Sequence, residues 1–133
     1  MFHDIKIQTN KHAELIDITS KIKQCISEDD IKEGIVIAYV PHTTAAITIN
    51  EGADPDVQKD ILETLSSLIP FKNSYHHREG NSDAHIKASL IGSSAQLIIH
   101  EGNLVLGTWQ SIFFFEGDGP RNRTFYVLTI KEK

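Results

Sequence analysis

Residues 110–116 read QSIFFFE. A strand turns successive side chains to opposite faces, so three consecutive phenylalanines cannot share one side of a sheet. Alternation puts Gln110, Ile112, Phe114 and Glu116 on one face and Trp109, Ser111, Phe113 and Phe115 on the other. Both faces therefore need an apolar cover. The 133 residues make one ordinary domain, expected to span 1–133 as a single unit, and one subunit of that size has little apolar material with which to bury every ring. Self-association is expected on this ground, with Trp109 in the core.

The neighbouring segments extend the pattern. AQLIIH, NLVLG and RTFYVLTI are strand-like runs separated by Glu101-Gly102-Asn103, Gly107 and the Gly-Asp-Gly-Pro turn, which predicts an antiparallel meander in the last third. Upstream, residues 2–18 read as two strands joined through Thr9-Asn10-Lys11-His12. IVIAYV is a continuous apolar run closed by Pro41, expected to be covered on both faces, and TTAAITINE follows as another strand. Three helices interrupt these strands. Thr19 or Ser20 caps one with Ile22, Cys25 and Ile26 inward. Asp54 and Pro55 open a second, with Val57, Ile61, Leu62, Leu65 and Leu68 on one face. The third is SDAHIKASLIG, capped by Asn81 or Ser82, with Ile86 and Leu90 inward and Gly92 at its end. The fold class is α+β: a mainly antiparallel sheet with two to three helices packed on one face.

Composition excludes several roles. Net charge is −5 and the basic residues are scattered, so no nucleic-acid footprint is present. No apolar run is long enough for a membrane span or a signal-peptide core. The single cysteine, Cys25, cannot form an intrachain disulfide, which suits a soluble chain in the reducing cytoplasm.

Polar chemistry gathers in three places. His42, Thr43 and Thr44 follow the buried run, with Asn50 and Glu51 at the far end of the next strand; the threonines and Asn50 read equally as groups that satisfy free backbone. In HHREGNSDAH, His85 lies in the first turn of the third helix, His77 stands on the loop before it, and Gly80 allows a ligand close to the backbone. Taken alone this is also an ordinary capped helix with exposed histidines. In the third place, Asp118-Gly119-Pro120 reads as a turn with Arg121 and Arg123 at a sheet edge, or with Arg121 as a phosphate clamp. Together His42, His77 and His85 can supply three imidazoles for a divalent metal, zinc first, with Glu51, Asp83 or Glu116 as acid or base. No HExxH or paired CxxC spacing supports that set.

The stretches HTTAAITINEGADPDVQKDIL, HREGNSDAHIKASLIGSS and GTWQSIFFFEGDGPRNR, in this order and spacing, resemble the YjbQ-like family from about Gly34 to the C-terminus. The resemblance implies an α+β subunit of a homotrimer whose polar pocket, near a subunit boundary, holds a metal and an anion. It places the family's histidines on His42, His77 and His85, its acidic and amide positions on Glu51, Asn81, Asp83, Gln110 and Glu116, and its arginine on Arg121. Arg78 stands where many members carry an acidic residue.

The resemblance also implies a secondary thiamine-phosphate synthase activity, joining a pyrimidine pyrophosphate to a thiazole phosphate. The expectation is a metal-assisted enzyme acting on a phosphorylated small molecule, with Glu51, Asp83 and Glu116 catalytic and Thr43, Thr44, Gly80, Asn81, Gln110 and Arg121 binding the anion. No organic cofactor is expected. The alternative is a non-catalytic module that binds an anionic metabolite in the same pocket.

Overall fold

The computed structural model describes residues 1–133. In chain order the elements are β1 (Phe2–Gln8), β2 (Glu14–Asp17), α1 (Thr19–Glu28), β3 (Gly34–Tyr39), β4 (Ala45–Glu51), α2 (Pro55–Leu68), α3 (Ser82–Ile91), β5 (Ser94–His100), β6 (Asn103–Leu104), β7 (Gln110–Glu116) and β8 (Asn122–Lys131). Three helices and wholly antiparallel pairings make this an α+β fold.

The strands form two sheets, not one. Five run in the order β1-β8-β3-β5-β6 and three in the order β2-β7-β4. The last third is therefore no meander: β7 leaves its sequence neighbours for the second sheet, and β8 returns to the first. The main core lies between the sheets, where Val36, Val40, Leu97, Ile99, Phe125 and Val127 meet Ala45, Ile47, Ile112 and Phe114. Helix α1 adds Ile22, Cys25 and Ile26 to it. Thr19 does not cap this helix; its hydroxyl accepts the Ile112 N–H at 2.8 Å, while Asp17 accepts the Thr19 N–H. Burial pushes the Cys25 thiol up to about 11, helped by Glu28 and Asp29, so it is a packing group.

The outer face of the three-stranded sheet carries Phe115 and Ala46, roofed by Leu62 and Leu65 of α2 and by Ala88 and Ile91 of α3. Phe113, Phe114 and Phe115 are all buried within one subunit. The expectation that they need a second copy is overturned, because the sheet is covered on one face by another sheet and on the other by helices.

Helix α3 reverses its expected orientation. Ile86 and Leu90 are exposed, Leu90 by 69%, while Asp83, Ala84, Lys87 and Ala88 are buried. Close packing explains this: a Cβ on Gly117 would stand 3.1 Å from the Ala84 Cβ, so the helix comes too near the strands for branched side chains. Lys87 donates to Asp83 at 2.9 Å, which allows both charges into that contact. In α2 the Asp54 cap is as expected and accepts the Asp56 N–H at 2.9 Å, but none of its apolar residues is fully buried.

The run IVIAYV is covered on one face only. Its cross-strand rows leave Ile98, Ile35 and Ile130 side by side, then Ile37, Leu128 and Phe2, then Tyr39 and Tyr126, all on the outer face of the five-stranded sheet. Phe2 and Ile98 are 63% and 60% exposed. Trp109, expected in the core, is 64% exposed in the turn before β7. No helix is long and apolar enough to cross a membrane.

Truncating Phe114 to alanine removes a ring packed between the sheets and is expected to lower the unfolding free energy by about 3–5 kcal/mol. Lys23→Ala, on the exposed side of α1, is expected to stay within about 0.5 kcal/mol in the same urea titration.

Candidate functional site

Three segments meet at one end of the two sheets: the β3–β4 connection with Pro41 to Thr44, the start of α3, and the β7–β8 turn with Asp118 and Arg121. The Ala45–Glu116 register pair fixes the meeting, and Gly117 N–H donates to the Thr44 carbonyl at 3.0 Å. Between them lies an open pocket of about 410 Å³ lined, Pro41 apart, by polar and charged residues: His42, Thr43, Thr44, His77, Glu79, Asn81, His85, Arg121 and Arg123.

Its base is a buried ion pair. Arg123 occupies an inward position of β8, in phase with Phe125 and Val127, and donates Nε to Glu116 Oε1 at 2.8 Å and Nη2 to Glu116 Oε2 and to Thr44 Oγ1, the latter at 2.7 Å. Glu116 also accepts from the Thr9 hydroxyl at 2.8 Å and the Asp118 N–H at 2.9 Å. Burial alone would raise the Glu116 carboxyl, but these donors outweigh it and hold it below the ordinary glutamate value. Arg123 Nη1 is left without a protein partner and belongs to a pocket residue.

The upper rim is looser. Arg121 donates Nε to the Asp118 carbonyl and Nη2 to its carboxylate, both at 2.7 Å, and its side chain is half exposed. Asn81 precedes α3 but does not cap it with its side chain; Nδ2 donates to Asp118 at 2.9 Å instead. Asn81 Oδ1 and Asp83 Oδ1 are buried acceptors with no donor in the protein. Burial works to raise Asp118 as well, but Asn81 and Arg121 bring it below the usual range. Gly80 has φ +81°, which a side chain would strain, and this lets the loop turn into the helix.

The histidines are close without forming a cluster. The His77 and His85 rings stand edge to face with centroids 5.3 Å apart, and His77 lies 3.8 Å from Glu79. His42 Nε2 accepts the Thr124 N–H at 3.0 Å. Burial, then the Arg123 charge, lowers its pKa, so it is neutral at pH 7. No three His, Cys, Asp or Glu side chains lie close enough together to hold a metal ion. The residues present do not fit the three-imidazole zinc site, because one ring has its lone pair committed to the backbone.

Of the expected residues, the fold brings His42, Thr43, Thr44, His77, His85, Asn81 and Arg121 to one pocket. It keeps the three expected catalytic carboxylates from it. Glu116 is sealed beneath Arg123, and Asp83 is buried against Lys87. Glu51 pairs with Gln110 at the other end of β4 and β7, six residues or about 20 Å from Ala45. There Glu51 accepts the Asp54 N–H and Gln110 accepts the Gly107 N–H. Sequence reasoning missed Arg123 and Glu79. The strand phase of Arg123 with Phe125 and Val127 was its legible signal; Glu79 had none.

The profile described as UPF0047 protein YjbQ-like matches residues 3–132. The chain belongs to this family. It is 57% identical over 133 residues to a UPF0047 protein of Methanocaldococcus jannaschii, covering all of this chain and 96% of that one. It is 47% identical to UPF0047 protein YugU of Bacillus subtilis, covering 96% and 97%. A crystal structure of an uncharacterized conserved protein of the family from Clostridium acetobutylicum superposes with a TM-score of 0.95 at 50% identity, over 96% of this chain and 99% of that one.

The ion pair at the base of the pocket has measurable consequences. Glu116→Leu is expected to cost about 3–5 kcal/mol by leaving Arg123 buried and unpaired, and adding Arg123→Met is expected to recover much of that loss. Glu116 is also expected to contribute to acid unfolding. Its folded pKa lies below the ordinary 4.5, so the unfolded chain takes up its proton first. Its stabilisation is present above that pH and is lost as pH falls through the folded value; a urea series from pH 6 to pH 3 reads the slope, which Glu116→Leu/Arg123→Met should reduce.

Proposed function

We propose that the chain binds a phosphorylated small molecule in the pocket beside α3 and acts on it as a transferase of the thiamine-phosphate synthase type. The observation that carries this reading is Arg123: a nine-tenths buried guanidinium, fixed by Glu116 and Thr44, in a pocket otherwise lined, Pro41 apart, by polar and charged residues. A cation held by its own counter-ion is already oriented when an anion arrives, so little ordering is left to do. Arg121 adds a second guanidinium, and the Thr43 hydroxyl and the rings of His77 and His85 surround the same space. In a reaction that releases pyrophosphate, Arg121 and Arg123 neutralise the departing charge, and His77 or His85 is placed to supply a proton. A divalent metal travelling with the phosphates would be brought by the substrate, since the pocket's own residues do not form a site for it.

A second reading, binding without chemistry, draws support from the carboxylates. Glu79 is the only acid lining the pocket, and it faces His77 from the exposed rim. Calorimetry against inorganic phosphate, pyrophosphate and a panel of phosphorylated metabolites, paired with product analysis for thiamine phosphate, separates the readings. Micromolar binding weakened tenfold or more in Arg121→Ala is expected, and turnover of the pyrimidine pyrophosphate decides for the enzyme. Absence of phosphate binding would sink both.

Assembly as a homotrimer is proposed on the outer face of the five-stranded sheet, where Phe2, Ile35, Tyr39, Ile98, Leu128 and Ile130 stand exposed in adjacent rows. Light scattering is expected to give three times the subunit mass of 14.9 kDa, and Ile98→Lys to break the assembly. An intact trimer in that variant would move the interface elsewhere. A reducing compartment, the cytoplasm, suits the sealed Cys25 thiol.

A further inference from the structure

Strand β3 ends before its partner does. Tyr39 pairs with Tyr126, so two residues further along β8 Thr124 stands opposite Pro41, where the ladder has stopped. The Thr124 N–H would there be left without an acceptor, and a part-buried backbone donor needs one. His42 Nε2 takes it at 3.0 Å, the imidazole replacing the missing strand carbonyl.

This bond fixes the chemistry of the ring. A backbone amide cannot give up its proton, so the nitrogen that accepts it must carry a lone pair, and the neutral imidazole then bears its hydrogen on Nδ1. Nδ1 has no partner in the protein and is not among the sealed polar atoms, and His42 lines two pockets, both of which it shares with His85. Protonating Nε2 would set it against the Thr124 N–H, while burial and the Arg123 charge oppose the cation as well. Such a ring can donate one directed hydrogen bond and cannot offer a lone pair to a metal.

We infer that His42 is a fixed, uncharged Nδ1–H donor to a phosphate oxygen in this pocket, with Thr124 as the residue that sets its tautomer. The inference rests on the phosphate-binding reading above and deepens it. It assigns the site to oxyanion ligands that meet one neutral donor beside the Arg123 guanidinium, and it takes His42 out of any metal ligand set. The neutral donor adds directional selectivity for an oxygen acceptor without adding charge.

Nitrogen-15 NMR of the histidine-labelled full chain reads the tautomer directly. The expected spectrum has the His42 proton on Nδ1, unchanged by stoichiometric zinc chloride, and sodium pyrophosphate shifts that resonance. In calorimetry with pyrophosphate, His42→Ala is expected to weaken binding about tenfold to a hundredfold, the range of a hydrogen bond to a charged group. His42→Asn, whose side-chain amide can donate from near the Nδ1 position, is expected to recover most of it, which a purely structural role would not require. A proton on Nε2, or zinc that displaces the Nδ1 proton, overturns the inference. So does His42→Ala binding pyrophosphate within twofold of the wild type, and that result leaves the phosphate reading standing. Wild-type protein that binds neither phosphate nor pyrophosphate overturns both.

Discussion

The ion pair of Glu116 and Arg123 is the interaction on which the rest of the site depends. Glu116 ends β7 in the three-stranded sheet and Arg123 is the second residue of β8 in the five-stranded one, so the pair ties the two sheets together where their core gives way to the pocket. An isolated charge at either position would be expensive to bury, and neither residue is tolerable without the other. Thr9, Thr44 and the Asp118 N–H complete the carboxylate and guanidinium hydrogen bonding and bring in the β1–β2 connection, the β3–β4 connection and the β7–β8 turn. One buried pair thereby fixes the relative position of these three segments, two of which, the β3–β4 connection and the β7–β8 turn, line the pocket.

The remaining wall comes from α3, and its packing follows the same logic of closeness. Ala84 and Ala88 let the helix sit against the strands, and Asp83 and Lys87 enter the same contact as a buried ion pair. Because the helix comes so near, Asn81 reaches Asp118, and Asp118 in turn holds Arg121. The two arginines are thus placed by different means: Arg123 rigidly from below, Arg121 from the rim by a carboxylate that is itself held by the helix. The pocket therefore carries one preset cation and one that can adjust.

Much of the fold was legible because alternation and turn chemistry are local. The strands on either side of Thr9–His12, the Asp54–Pro55 helix start and the Gly92 stop all follow from neighbouring residues. The division into two sheets was not legible, since the choice of β4 over β8 as the partner of β7 depends on contacts across the whole chain. Helix α3 misled for a related reason. Its apolar residues mark a face, but the small and charged ones faced the core because of how closely it packs. In the site, residue type offered His42, His77 and His85 as one group without showing that they meet; they line one pocket, and one ring serves the backbone. The acids were the larger surprise: Glu51, Asp83 and Glu116 are each occupied by a structural contact.

By itself the sequence determined the α+β class, the family and the polar character of one end of the molecule, because these reside in periodicity and in side-chain chemistry that no folding changes. Only the tertiary structure decided which charges are free to act. Arg123 and Glu116 look like ordinary strand-end residues until β7 and β8 are seen in different sheets, and His42 looks like a metal ligand until β3 is seen to stop two residues short of Thr124. Burial and hydrogen bonding, not residue type, set the protonation and the reach of each group, and both depend on neighbours distant in the chain.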